Sequence, residues 1–206
     1  MPRRRTANSK STSATTSNRL RIIGGEWRSR ILSFADADGL RPTTDRVRET
    51  LFNWLRDDIA GAHCLDLFSG SGALAFEALS RGAAKCWMIE KSAPAAALLK
   101  RNAALLEADQ RAQIVQADAL RWLGQQPASP FDVVFLDPPF ASELLQRALD
   151  LLIDHQWLAR SASVYIETQA SAMAPLTPPN WLLDREKTAG RVCSRLYRIQ
   201  EIESTL

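Results

Sequence analysis

From Gly61 onward the chain alternates apolar runs of strand length with stretches of helical period, and this rhythm leaves few folds open. His63-Cys64-Leu65-Asp66-Leu67-Phe68 reads as a strand, Ala73 to Leu79 as a helix ending near Gly82, Lys85 to Glu90 as a second strand and Ser92 to Glu107 as a long helix. Gln113 to Gln116 is a third strand, followed by a short helix through Leu123. Phe131 to Leu136 is a fourth, followed by a helix over 142–154 with Leu144, Leu145, Ala148, Leu151 and Leu152 on one face. Ser163 to Glu167 is a fifth. Such alternation requires a parallel sheet with helices on both faces, and these sheets bind ligands at the carboxyl ends of their strands. The end of the chain differs. Trp181 to Thr188 and Val192 to Gln200 alternate across Ala189-Gly190, which predicts a β-hairpin closing the sheet with antiparallel strands. The expectation is an α/β, doubly wound, mostly parallel seven-stranded sheet.

Four strands end in or beside a carboxylate: Asp66, Glu90, Asp118 and Asp137. The fourth runs into Asp137-Pro138-Pro139-Phe140. Two prolines remove two backbone donors and fix both φ angles, so the chain leaves the sheet at a rigid corner. That corner offers a carboxylate and a proline carbonyl to a planar amine, and an aromatic face on which its ring can stack. After the first strand, Ser69-Gly70-Ser71-Gly72 makes a tight loop whose glycines let backbone N–H groups approach a ligand at a helix N-terminus. This stretch also fits a dinucleotide pattern. Against that reading, Asp66 would stand where a pyrophosphate must lie, and a nicotinamide enzyme has no use for the Asp-Pro-Pro-Phe corner. A ligand with a cationic amino-acid end, a ribose diol and an adenine suits the acids better. Asp66 would serve the ammonium, Glu90 both ribose hydroxyls, and Asp118 the adenine amine. S-adenosylmethionine has these three parts.

The basic surplus lies at the other end of the chain. Residues 1–34 carry eight Lys/Arg and one acid, Glu26, against eighteen and twenty-two in the remainder. Residues 1–18 are a low-complexity basic tail expected to be disordered. Leu20 to Ile23, Gly24-Gly25 and Trp27 to Leu32 read as a short hairpin or two strand pieces with Arg on one face, suited either to phosphate contact with base stacking or to plain amphipathic packing. Arg41-Pro42-Thr43-Thr44-Asp45 starts a helix whose Val47, Leu51, Trp54 and Leu55 form an apolar stripe packed on the body. Arg46, Arg48 and Arg56 fall outside the stripe. The helix dipole disfavours arginines at this end, so they serve a ligand or pair with Asp45 and Glu49.

No run approaches a membrane span, and no apolar segment of a secretory signal opens the chain. Three scattered cysteines and two unclustered histidines give no metal-ligand spacing. A cytoplasmic protein without a metal is expected. One domain over 19–206 is expected, with an N-terminal extension at 19–58 and a core at 61–202.

The Asp66-Leu67-Phe68-Ser69-Gly70-Ser71-Gly72 loop, Glu90, Asp118 and Asp137-Pro138-Pro139-Phe140 resemble, in order and spacing, the Rossmann-like class I S-adenosylmethionine-dependent methyltransferases that modify exocyclic amines. Arg41-Pro42-Thr43-Thr44-Asp45-Arg46-Val47-Arg48-Glu49 and Gly24-Gly25-x-Trp27-Arg28 look like the bacterial 16S ribosomal RNA guanine-N2 methyltransferases, the family named for guanine 966. The resemblance covers residues 19 to about 202. It implies S-adenosylmethionine held by Asp66, Phe68, Ser69, Gly70, Gly72, Glu90, Asp118, Ala119 and Asp137. It implies a flipped guanine stacked on Phe140, with Asp137 and Pro138 accepting from its amine. Arg21, Arg28, Arg41, Thr43, Arg46 and Arg48 would contact RNA. The implied partner is 16S RNA in the small subunit or its assembly intermediate, met by a monomer. An adenine-N6 methyltransferase acting on DNA is the nearest alternative, disfavoured because the length leaves no room for a separate target-recognition domain. Protein-glutamine methylation and a non-catalytic RNA-binding role on the same fold are more distant alternatives.

Overall fold

The computed structural model describes residues 18–34, 44–125, 129–139 and 143–201. The tail through residue 17, Arg41, Thr43 and Phe140 lie outside them. In chain order the elements are β1 (Asn18–Arg21), β2 (Ile31–Phe34), α1 (Asp45–Trp54), β3 (His63–Asp66), α2 (Ala73–Ser80), β4 (Lys85–Glu90), α3 (Ala93–Leu105), β5 (Ala112–Gln116), α4 (Ala119–Leu123), β6 (Phe131–Leu136), α5 (Leu144–Asp154), β7 (Leu158–Gln169), β8 (Trp181–Ala189) and β9 (Val192–Ile199).

Seven strands form one sheet in the order β5-β4-β3-β6-β7-β9-β8. β5 through β7 are mutually parallel, and β9 runs antiparallel to both its neighbours. The order reverses between β3 and β6, so these two strands bound the crevice where a doubly wound sheet binds ligands. The central strands are apolar on both sides because period-2 alternation serves two cores. Cys64, Val133, Phe135 and Tyr165 join α1, α2, α3 and the β1–β2 hairpin on one face. Leu65, Val134, Leu136, Val164 and Ile166 join α4 and α5 on the other. There the Trp122 and Trp157 rings lie 4.4 Å apart, and the Trp157 indole N–H finds the Leu123 carbonyl at 2.9 Å.

All eight residues of α2 are buried, because the N-terminal extension lies against the helix face that the sheet leaves uncovered. The extension keeps part of the expected hairpin: 18–21 pair with 31–34, Ile22 N–H bonds the Arg30 carbonyl at 3.0 Å, and the residues between form a loop clipped to the end of α2. Glu26 N–H donates to the Ser80 carbonyl, Trp27 N–H to Ser80 Oγ, and Ser80 Oγ to the Gly24 carbonyl. Gly25 takes φ +79°, and a side chain there would collide with the Ser80 carbonyl. Trp27 is therefore buried under the Arg111 guanidinium, 4.7 Å from its ring, and is not available to stack on a base.

Two other expectations shift. β7 runs for twelve residues, longer than the expected 163–167, because Leu158 pairs with Phe131 of β6 ahead of a register shift, and Thr168 and Gln169 pair on with β9. The closing hairpin turns at Gly190-Arg191, one residue later than expected. Ala189 and Val192 are the last ladder pair, and Gly190 supplies the positive φ of +61° that the turn needs.

Candidate active site

The carboxyl ends of β3 to β7 open into one cleft of about 1860 Å³, walled by α1 on one side and the β8–β9 tip on the other. Its two ends are built differently.

At one end lies the glycine loop. Gly70 and Gly72 take φ of +47° and +77°. The Gly72 N–H bonds the Ser69 carbonyl at 2.6 Å, and Ser69 Oγ donates to the Asp66 carbonyl at 2.9 Å. A Cβ on Gly72 would meet Leu99 and Phe76 at 2.6 and 2.7 Å, so only glycine lets the loop settle onto α2 and α3. Glu90 reaches back to this loop, accepting from Gly70 N–H at 2.8 Å and from Ser92 N–H at 2.6 Å. A carboxylate has about four acceptor sites, so Glu90 keeps capacity toward the cleft it lines. Asp118 caps α4 through Arg121 N–H at 3.2 Å and pairs with Lys91 at 3.2 Å. These donors hold its carboxyl below the usual range. Phe68, Gly70 and Ala119 line the wall; Ser69 is buried behind it.

Asp66 corrects an expectation. Its carboxylate is buried beneath the loop, not on the cleft wall, and accepts from the backbone N–H groups of Ala75 and Phe68. Burial pushes it up to about 7, with Glu90 adding to the rise. Its observed contacts order the loop.

At the other end the chain leaves β6 through Asp137, Pro138 and Pro139. Asp137 is half-buried, Pro138 buried and Pro139 exposed, and all three line the cleft. Enclosure by protein pushes the Asp137 carboxyl well above its ordinary range, with the charges of Glu167 and then Asp66 contributing. Phe140, expected beside it, lies outside the described residues. All three cysteines are buried, so none offers a nucleophile to the cleft.

The arginines divide. Arg46 is exposed on the cleft rim, Arg28 is exposed on the hairpin loop, and Arg21 pairs at the surface with Asp45 at 3.0 Å. Arg48 is a correction. It is fully buried, 2.7 Å from Asp45 and 3.5 Å from Glu77, and donates to the Arg21 carbonyl. Glu77 in turn accepts from Ile23 N–H, Gly24 N–H and Arg81 Nε. A buried charge in such a network costs several kcal/mol to expose unpaired, so Arg48 ties α1 and the hairpin to α2 and does not meet phosphate. Arg41 and Thr43 lie outside the described residues.

The helix stripe is also rotated from the expected one. Arg48, Leu51, Phe52 and Leu55 face the core, whereas Val47, Thr50 and Trp54 line the cleft. Sequence reasoning missed several groups here. Lys187 and Arg191 stand at the β8–β9 tip opposite Arg46, and Lys187 Nζ reaches Thr50 Oγ1 at 3.2 Å across the cleft mouth. Glu167 and Tyr165 also line the cleft. Their one readable signal was a polar residue two positions after tyrosine in an otherwise apolar strand.

A family model described as conserved hypothetical protein 95 matches residues 20–198. Ribosomal RNA small subunit methyltransferase D of Escherichia coli is 50% identical over 182 residues, covering 88% of this chain and 91% of the relative. The protein of that name from Haemophilus influenzae is 46% identical over 181 residues, covering 87% and 93%. A solved methyltransferase structure from Escherichia coli superposes with a TM-score of 0.81 at 48% identity, covering 90% of this chain and 100% of that one.

Proposed function

The chain belongs to the ribosomal RNA small subunit methyltransferase D family, and we propose that it methylates the exocyclic N2 amine of one guanine in 16S ribosomal RNA. The observation that carries this reading is the union, in one cleft, of the Gly70 loop with Glu90 and the Asp137-Pro138-Pro139 corner. One end suits a nucleoside cofactor and the other an amine.

Bound S-adenosylmethionine supplies an electrophilic methyl on a sulfonium. Glu90, fixed by two backbone donors, has acceptor sites left for a ribose diol, and Asp118 can accept from an adenine amine. The Gly70 loop allows close backbone approach. At the other end, Asp137 and the Pro138 carbonyl accept the two hydrogens of the target amine. An aromatic amine is a poor nucleophile because its lone pair is delocalised into the ring. Holding both hydrogens localises that pair and aims it at the methyl group. The amine nitrogen would bond the methyl carbon, whose bond to the sulfonium would break to leave a neutral thioether; the nitrogen becomes positive and one of its protons passes to Asp137. Enclosure has already raised the proton affinity of that carboxylate.

The test is methyl transfer from labelled S-adenosylmethionine to small ribosomal subunits lacking the modification, to their stripped RNA and to unmethylated DNA, followed by nucleoside analysis. N2-methylguanosine from ribosomal substrates alone is expected. N6-methyladenine in DNA would overturn the base and polymer while keeping the amine-acceptor chemistry.

A further inference from the structure

The chemistry just described leaves one carboxylate at the target end unused. Glu167 is buried, 4% exposed, yet it lines the same cleft as Asp137. The parallel β6–β7 register runs through Leu136 and Ile166, so Asp137 and Glu167 are the next residues on neighbouring strands. On its other side Glu167 pairs with Ser194 of β9. Tyr165, two residues earlier and therefore on the same strand face, donates its hydroxyl to Glu167 Oε1 at 2.7 Å. The same hydroxyl lies 2.9 Å from Ser194 Oγ. Tyr165 is itself fully buried, so the carboxylate is held in one orientation at the cleft wall.

A buried carboxylate is costly, more so beside another one, and this one lines the cleft at its amine end. Guanine presents two adjacent donors, N1–H and the N2 amine. Adenine presents its amine beside a bare N1 acceptor, whose lone pair a carboxylate would repel. The Asp-Pro-Pro corner accepts any planar amine and does not by itself choose between them.

We propose that Glu167 reads the Watson–Crick edge of the target base, accepting the guanine N1–H while Asp137 and Pro138 hold the N2 amine. This role rests on the guanine-N2 reading and sharpens it into base selection.

The discriminating substrate is 2-aminopurine, which keeps the amine at C2 but has no N1–H. Small subunits are reconstituted from RNA carrying guanine or 2-aminopurine at the target position, and kcat/KM is measured for the wild type and for Glu167→Gln. The wild type is expected to prefer guanine by on the order of a hundredfold or more, the discrimination typical of a site built to bond a missing donor. Glu167→Gln can donate its amide hydrogen to a bare N1, so the preference should narrow at least tenfold. Equal wild-type rates on the two bases would overturn the role, whatever the variant does. So would a variant that slows both substrates equally and leaves the ratio unchanged, since that is what a structural residue does. Failure of the guanine-N2 reading looks different. The wild type would then leave the C2 amine of both bases unmodified and put its methyl elsewhere, and both proposals would fall.

Discussion

The two ends of the cleft hold carboxylates in opposite ways. At the glycine-loop end each acid is tied by nearby backbone N–H groups: Glu90 by Gly70 and Ser92, Asp118 by Arg121, and Asp66 by Ala75 and Phe68. At the Asp137 end, two carboxylates from neighbouring strands face one cleft, and Glu167 is oriented by a tyrosine hydroxyl. Backbone donors favour the charged form, whereas burial beside a like charge resists ionisation. Asp66, raised to about 7 by burial and by Glu90, shares that crowding but lies beneath the loop, while Asp137 and Glu167 line the cleft itself. We propose that the first end serves binding and the second serves chemistry that responds to proton affinity.

The sharpest way to break this contrast is to remove one acid from each end. Asp137→Ala deletes acceptors used only while the amine reacts, so transfer should fall by on the order of a thousandfold or more. Binding of S-adenosylhomocysteine, measured by calorimetry, should stay within a few-fold of wild type. Glu90→Ala does the reverse. It removes the acceptor of the half-buried Gly70 N–H and the exposed Ser92 N–H, which frees the glycine loop, and it removes the proposed ribose contact. Cofactor-product affinity should fall by on the order of a hundredfold, while single-turnover rates at saturation recover much of their value. If Asp137→Ala loses the ligand as badly as Glu90→Ala, the ends do not divide the work.

A smaller effect tests the crowding itself. Protonated Asp137 donates where it must accept, so transfer at saturating substrates should rise with pH as this carboxyl ionises. Because its folded-state affinity for a proton is raised, the ionised form also opposes folding. That penalty begins above the unfolded carboxyl range and grows until pH passes the raised folded value. Glu167→Gln removes the adjacent charge and should move the rate rise to lower pH. A pH–rate profile of the variant superposable on the wild type would show that the two acids do not interact.

The same contrast explains what could be read from the chain. The glycine loop, Glu90 and Asp118 act through donors close in sequence or at a strand end, so local spacing revealed them. For Arg48 the pairing with Asp45 was open to a local reading and holds, whereas its second partner, Glu77, lies on another helix, and only the docking of α1 and the hairpin on α2 buries that pair. For Trp27 the sequence left base stacking and amphipathic packing open, and what buries it is Ser80, which captures its backbone N–H from far along the chain. Glu167 was invisible as a cleft residue because strand order sets β7 beside β6 and β9, and no local pattern encodes that neighbourhood. The Asp137 corner escaped this limit because two prolines mark it locally.

The weakest effect belongs to the mouth above both ends. Arg46 on α1 and Lys187 and Arg191 on the β8–β9 tip all line the cleft, and the tip is anchored where Ala170 N–H bonds the Arg191 carbonyl at 2.8 Å. We propose that these cations hold phosphates of the RNA strand whose base turns into the cleft. Lys187 and Arg191 are exposed, so replacing both by alanine should leave the fold and cofactor affinity unchanged. What should change is KM for the RNA substrate, by several-fold at moderate salt, with kcat nearly intact. Removing two phosphate contacts should also flatten the plot of log affinity against log salt by about 1.4. An unchanged slope would put the RNA on another face, and the basic surplus of residues 1–34 would then have to carry the polyanion alone.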